Sequence, residues 1–182
     1  MITFKNNNLT YIPSVDLTTL GNTFKAFGHY IKNSLKQLEL AKEPMTHLNM
    51  GATAIGTGIN CHPDYKDCVE KHLSAITGIK FIPSTNFIAA TQDTADFVFV
   101  SGVLKSLAVR LSKIANDIRL MNSGPRTGLS EVELPKMQPG SSIMPGKVNP
   151  VICEVTGVAC YEVFGNDTAI THCSERAEFE LN

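Results

Sequence analysis

Residues 140–154, GSSIMPGKVNPVICE, place two serines and a lysine among glycines and prolines, directly ahead of an Asn-Pro pair. Asn149-Pro150 reads as a helix N-cap followed by proline at the first helical position. The first turn of a helix has unpaired backbone N–H groups and a partial positive charge, which together favour an anion. Lys147 adds a full positive charge there and Asn149 an amide donor, a set suited to a small carboxylate. Gly140-Ser141-Ser142 is flexible enough to close over such a ligand and brings hydroxyls with it. A serine hydroxyl is too weak an acid to serve as a base near neutral pH. It can do so only where helix dipole, lysine and backbone donors stabilise its alkoxide in a dry, closed site. Lid closure would supply that dryness.

Other serine chemistries fit poorly. The G-x-S-x-G elbow is absent and no His/Asp partner set accompanies the serines, which disfavours a hydrolase triad. The G-x-x-x-x-G-K-[ST] phosphate loop is not met either. From residue chemistry alone, a closing anion-binding loop and a structured connector stand level.

The elements that must position this loop are helical. Leu17, Leu20, Phe24, Phe27, Ile31, Leu35 and Leu38 form one apolar stripe, predicting an amphipathic helix that ends before Pro44. NMGATAIGTGIN (49–60) is small, glycine-rich and without period, and reads as a loop; Thr53 and Thr57 either line a site or simply sit where the backbone packs closely. Pro63 and Gly78 bracket a short helix over 63–77. The longest element carries Phe97, Val100, Leu104, Leu107, Leu111, Ile114 and Ile118 in a heptad seam, with Val98, Phe99, Val103, Ala108 and Val109 off it. A helix apolar on several sides is either covered by partner chains or central to a self-contained bundle. Residues 121–149 hold Gly124-Pro125, Pro135, Pro139-Gly140 and Pro145-Gly146 and read as a long structured loop. Gly165 is expected to punctuate, with a last helix running from about Asp167 to the end. Residues 1–15 are polar, Asn-rich and expected to be loosely held. With no convincing strand or repeat, the class is all-α.

Bulk properties narrow the functions. A 182-residue chain with net charge −1 has no basic footprint for nucleic acid or a membrane surface. No segment is long and apolar enough to span a bilayer, and the N-terminus has no apolar signal core. Five scattered cysteines without a C-x-x-C pair suit a reducing cytosol, so the expected location is cytoplasmic. Cys68 and His72 stand four apart on a helix, but no second ligand pair joins them, so no metal site is expected. His29, His47, His62 and His172 have no ligand-like spacing, and no motif implies a cofactor.

Gly140-Ser141-x-x-Met144-x-x-Lys147-x-Asn149 resembles the signature of the fumarase/aspartase superfamily of lyases. NMGATAIGTGIN, KIANDIRLMNSGPRTGLSEVELP (113–135), QPGSSIMPGKVNP (138–150) and the GNDTAIT and FELN stretches extend the likeness over roughly Val15 to Asn182. Asn49-Met50 and Asn149-Pro150-Val151 lean toward its aspartate ammonia-lyase branch; Cys153-Glu154 and Phe179-Glu180-Leu181-Asn182 resemble the fumarase branch equally well. The resemblance implies a long-helix bundle, with residues 16–182 a partial central domain and 138–150 its signature loop. It implies anti elimination: L-aspartate to fumarate and ammonia or, in the fumarase branch, malate to fumarate and water. Ser141 would be the base that takes a Cβ proton to give an aci-carboxylate. Lys147 and Asn149 would hold the substrate carboxylate, with Gly140, Ser142, Met144 and Glu154 in support, Glu154 at the position that steadies a histidine in many members. The implied partners are a small dicarboxylate and further copies of the chain, a homotetramer.

The departures are as informative. Where members carry a motif like G-R-T-H-L-Q-D, this chain reads Asn8-Leu9-Thr10-Tyr11-Ile12-Pro13-Ser14. Thr10 matches the family threonine, so it is a weaker candidate for substrate binding, while Tyr11 stands at the histidine position. Family sites are built from three segments of three subunits; the third is intact here and the second degraded. The upstream domain and the helices beyond FELN are not in the sequence. Ser174-Glu175-Arg176-Ala177-Glu178 puts charge where members are small. The expectation is an incomplete central bundle, either a lyase needing segments from elsewhere or a non-catalytic helical partner.

Overall fold

A computed structural model describes residues 18–182. Among them are five α-helices: α1 (Leu20–Ala41), α2 (Tyr65–Thr77), α3 (Phe87–Gln92), α4 (Ala95–Met121) and α5 (Val151–Glu175). The all-α expectation holds. Each helix begins or ends where side-chain chemistry demands it. At the start of α1, the Thr19 hydroxyl accepts the Asn22 N–H (3.2 Å). The helix stops ahead of Pro44, which instead opens a single 3-10 turn, Pro44–Thr46. The second helix starts two residues later than Pro63 suggests and ends on Gly78, whose φ of 71° is one that glycine adopts without strain. Asn86 caps α3, its Oδ1 accepting the Ala89 N–H at 3.1 Å.

The three long helices share one packing rule. The buried positions are Phe27, Ser34 and Ala41 on α1, Ser101, Ala108 and Ala115 on α4, and Cys160 and Asp167 on α5. Half-buried Cys153 and Ser174 extend the α5 line. Every one of these lines repeats at seven residues, two turns of helix, so each keeps to one side of its own helix. The seam expected on α4 is thereby displaced by one position. Phe97 and Leu104, assigned to it, are 57% and 44% exposed, while the small residues at 101, 108 and 115 are buried. The larger apolar residues at 97 and 104 stand beside these small buried ones and keep more of their surface exposed.

Two compact units divide the chain, each containing part of every long helix. One combines the part of α1 up to Asn33 with Leu107–Val163. In it Phe24 and Phe27 meet edge to face at 5.7 Å, and Lys113, paired with Asp117, lies 5.4 Å from the Phe27 ring centroid. The other combines Ser34–Ser106 with Phe164–Asn182. It contains the glycine-rich loop, whose backbone lies flush on α3: a Cβ at Gly56 would fall 2.3 Å from Ile88 Cα. Close backbone packing thus accounts for the glycine at 56. Lys66 Nζ sits 4.0 Å from the Phe87 ring centroid in the same unit.

Three expectations are corrected. A short parallel pair, His47–Leu48 with Ile82–Pro83, exists where none was expected; two residues are too few to show an alternating pattern. Gly165 does not interrupt α5, which runs unbroken from Val151 to Glu175. A helical glycine costs only about 1 kcal/mol relative to alanine, and buried Asp167 just beyond it anchors the turn. The helix also stops short of the end. An antiparallel bridge, Glu178 to Leu181, follows it, and the Asn182 amide donates to Thr94 Oγ1 (2.7 Å) and Gln92 O (3.2 Å).

Candidate active site

Between α4 and α5 the chain forms neither helix nor strand, as the Gly-Pro punctuation predicts. Its second half folds on itself into a small closed loop. Met144-Pro145-Gly146-Lys147 is a tight turn closed by Lys147 N–H to Met144 O at 3.1 Å. Pro145 fixes the first central φ, and Gly146, at φ 84°, supplies the positive value that the second position of a type II turn requires. The Ser141 N–H donates to Lys147 O at 3.3 Å and shuts the base of the loop. Gly140 is needed at that crossing, because a Cβ on it would lie 2.2 Å from the Lys147 carbonyl oxygen.

Inside the loop, Ser141 Oγ accepts the backbone N–H groups of both Ile143 and Met144, each at 3.2 Å. Two donors aimed at one serine oxygen would stabilise a negative charge on it more than they stabilise the neutral hydroxyl. The serine is visible in the sequence, but these donors belong to main chain and leave no mark in side-chain identity. Ser141 is half-buried; Ser142, Ile143, Met144 and Lys147 are exposed.

Asn149 and Pro150 lead into α5, one residue out of the expected register. Glu154 N–H bonds to Pro150 O (3.2 Å), so Pro150 is the cap rather than the first helical residue. Asn149 instead closes a turn, its carbonyl accepting from Val151 N–H at 2.9 Å. The reason is that proline tolerates both positions, having no N–H to lose. Lys147 and half-buried Asn149 still lie directly before the positive end of a 25-residue helix. Glu154 is exposed on its first turn. Beside it, burial raises the Cys153 thiol pKa, the Arg119 charge opposing this and the Glu154 charge adding to it. This thiol stays protonated at neutral pH and is no rival nucleophile. One loop therefore gathers Gly140, Ser141, Met144 and Lys147, with Asn149 and Glu154 immediately downstream. Thr10 and Tyr11 lie outside the described residues.

Two groups of structural importance were not singled out in the sequence. Asn122 and Ser123, just past α4, fasten the first half of the long loop through their side chains; Asn-Ser ahead of Gly-Pro is a turn-forming signal that could have marked them. Ser101 and Lys105 on α4 hold Asp167 of α5, its oxygens 2.9 Å from Ser101 Oγ and 2.5 Å from Lys105 Nζ. A serine and a lysine four apart on an otherwise apolar stretch were the visible sign. Among the described residues no group of three or more His, Cys, Asp or Glu is placed to hold a metal.

The described residues thus combine long helices with a self-closed serine loop that leads into the positive end of α5. A family model described as a lyase matches residues 16–165, and the chain belongs to that lyase family. It is 51% identical over 164 residues to an aspartate ammonia-lyase of Helicobacter pylori (strain ATCC 700392 / 26695), covering 90% of this chain and 35% of that protein. The corresponding protein of Escherichia coli (strain K12) is 47% identical over 164 residues, with 90% and 34% covered. Among solved structures, a fumarate lyase:delta crystallin from Brucella melitensis superposes with a TM-score of 0.84 at 47% identity, over 90% of this chain and 35% of that one. A class II fumarase from Schistosoma mansoni gives 0.86 at 30% identity, over 89% and 37%. The chain spans about a third of the length of these relatives.

Proposed function

We propose that this chain carries the base-bearing segment of an aspartate ammonia-lyase, which converts L-aspartate to fumarate and ammonia by anti elimination. The observation that carries the reading is the pair of N–H donors on Ser141 Oγ, since a serine base must be stabilised as its alkoxide. Ser141 takes the Cβ proton, and the electron pair it releases moves toward the adjacent carboxylate as an aci-carboxylate. Collapse of that intermediate forms the carbon–carbon double bond and expels the amine from Cα. Lys147 and Asn149, before the positive end of α5, bind the carboxylate on which charge accumulates. Gly140, Ser142 and Met144 shape the loop, and Thr10 is a secondary substrate contact. Glu154 serves a supporting role, and no cofactor enters the reaction.

The working enzyme is a homotetramer in the cytoplasm that accepts a small dicarboxylate, and residues 16–182 are part of its central bundle. Among the described residues no helix is long and apolar enough to cross a membrane. Fumarate hydration is the nearest alternative chemistry. A role as a helical partner without catalysis of its own is favoured by one observation: Val155, Val158 and Tyr161 leave an apolar run of α5 58–65% exposed. The test is fumarate absorbance in the ultraviolet, using the purified chain with L-aspartate and, in parallel, L-malate. Fumarate from aspartate supports the proposal and turnover of malate moves the substrate to the hydratase side. No product from either points to a partner subunit.

A further inference from the structure

The segment joining α4 to α5 is fastened along one half only. Ser130 N–H bonds to Ser123 O (2.7 Å), and Glu131 and Val132 N–H bond to Met121 O (2.8 and 3.3 Å). Leu129 N–H donates to Ser123 Oγ (3.1 Å), and Leu134 N–H donates to Asn122 Oδ1 at 2.9 Å. Beyond Leu134 this stops. Residues 135–140 are all exposed, and no hydrogen bond among the described residues ties them down. Pro135 and Pro139 have no N–H to give. Ser141–Lys147 then closes only on itself. The last fixed point before Ser141 is thus Leu134, and a side chain fixes it.

That side chain stands on a rigid post. Asn122 N–H bonds to Ile118 O at 3.0 Å, completing the last turn of a 27-residue helix next to Met121, which is buried. We propose that Asn122 is a positioning residue that sets the N-terminal anchor of the loop carrying Ser141, whose other end is tied through Lys147 to the start of α5. This rests on the reading of Ser141 as the base. With Leu134 held, the arm's reach to Ser141 is at most about 25 Å of extended chain and its direction is set by α4. With Leu134 released, the anchor retreats to Val132, which Met121 O still holds, and the free arm lengthens by two residues, about 7 Å of extended chain.

The test compares Asn122→Ala with Asn122→Asp, which keeps the acceptor oxygen, in the full chain. In Asn122→Ala, exchange of the Leu134 amide and tryptic cleavage after Lys136 should each speed up by as much as about tenfold, the worth of one hydrogen bond. Cleavage after Arg126, inside the half that Ser123 fastens, should stay unchanged, and Asn122→Asp should match the parent at all three positions. Where fumarate is formed, kcat should fall in Asn122→Ala with KM little changed, and Asn122→Asp should restore it. Unaltered Leu134 exchange in Asn122→Ala, equal acceleration at Arg126, or an aspartate variant that behaves like alanine would each overturn the proposal. If no variant makes fumarate, the lyase reading fails while exchange and proteolysis still decide the tether.

Discussion

Replacing Lys105 by methionine should destabilise the chain more than neutralising its partner, Asp167→Asn. Asp167 is buried at 5% exposure and accepts from both Ser101 and Lys105, whereas the Lys105 side chain is 48% exposed. Lys105→Met leaves a buried carboxylate with one hydroxyl donor. Breaking a fully buried pair costs about 3–5 kcal/mol, but an exposed pair is worth about 0.2–1. With one partner half in water, roughly 1–3 kcal/mol is expected. In a protein of this size about 2 kcal/mol corresponds to a midpoint about 4–8 °C lower. Asp167→Asn keeps an acceptor for Ser101 and returns Lys105 to solvent, so its cost should be under about 1 kcal/mol. The acid dependence gives a second check. The hydrogen bond from Lys105 is the largest cause holding the Asp167 pKa below its ordinary 3.8; Ser101 and the Lys105 charge add to it, and burial opposes it. A carboxyl lowered in the folded state contributes stability that is present above its unfolded pKa and is lost as pH falls through the folded one. The gap between parent and Lys105→Met should therefore stay constant at neutral pH and close below about pH 4. Thermal melts followed by circular dichroism from pH 7 to pH 3 test both. An Asp167→Asn variant less stable than Lys105→Met, or a gap that widens in acid, would refute the reasoning.

Gly165→Ala, at an exposed position inside α5 with no atom within 4 Å of the new Cβ, should raise stability by about 0.4–1 kcal/mol in denaturant melts. Gly56→Ala meets the Ile88 backbone at a φ of 83° and should cost at least about 1–3 kcal/mol in the same assay. Ser141→Ala should abolish fumarate formation while leaving helical ellipticity unchanged; persistent activity would remove Ser141 as the base. Exposed Cys68 and Cys173 should alkylate well before buried Cys160 and the raised-pKa Cys153, as read by mass spectrometry at pH 7.5.

What the sequence could convey follows from where the information resides. Gly78, Pro44 and the Gly-Pro pairs act through their own backbone preferences, so the helix ends and the long loop were legible residue by residue. Gly165 misleads for the opposite reason: a local preference of about 1 kcal/mol is outweighed by packing around Asp167 that no local window contains. The displaced α4 seam is a case of the same kind. Ser101, Ala108 and Ala115 look unremarkable beside Phe97 and Leu104, yet they are the ones that are buried. Ser141, Lys147 and Asn149 could be chosen by residue type, but the donors on Ser141 are the amides of Ile143 and Met144. Any residue except proline at those positions would supply them.

Those donors also bound what this segment can do unaided. Hydrogen bonds to a charged group are worth about 1.5–3 kcal/mol each, so two would stabilise an alkoxide by roughly 3–6 kcal/mol. The larger figure applies only where water is excluded, and here Ser142, Ile143, Met144 and Lys147 are exposed, Ile143 at 88%. The loop thus holds its serine oxygen with two amides while facing solvent that would compete for the same charge. Whatever covers Ile143 would raise the worth of both amides and of Lys147 together, since a drier surrounding strengthens each of them. On the proposed reading of Ser141 as the base, Ile143 marks the loop face whose burial would strengthen it. Ile143→Asp, which leaves the backbone donors intact but resists that burial, should lower kcat by tenfold or more, for a loss of at least about 1.4 kcal/mol, without disturbing the loop's internal hydrogen bonds. An aspartate variant with full activity would show that the alkoxide forms without a dry cover, and the electrostatic account of Ser141 would fail.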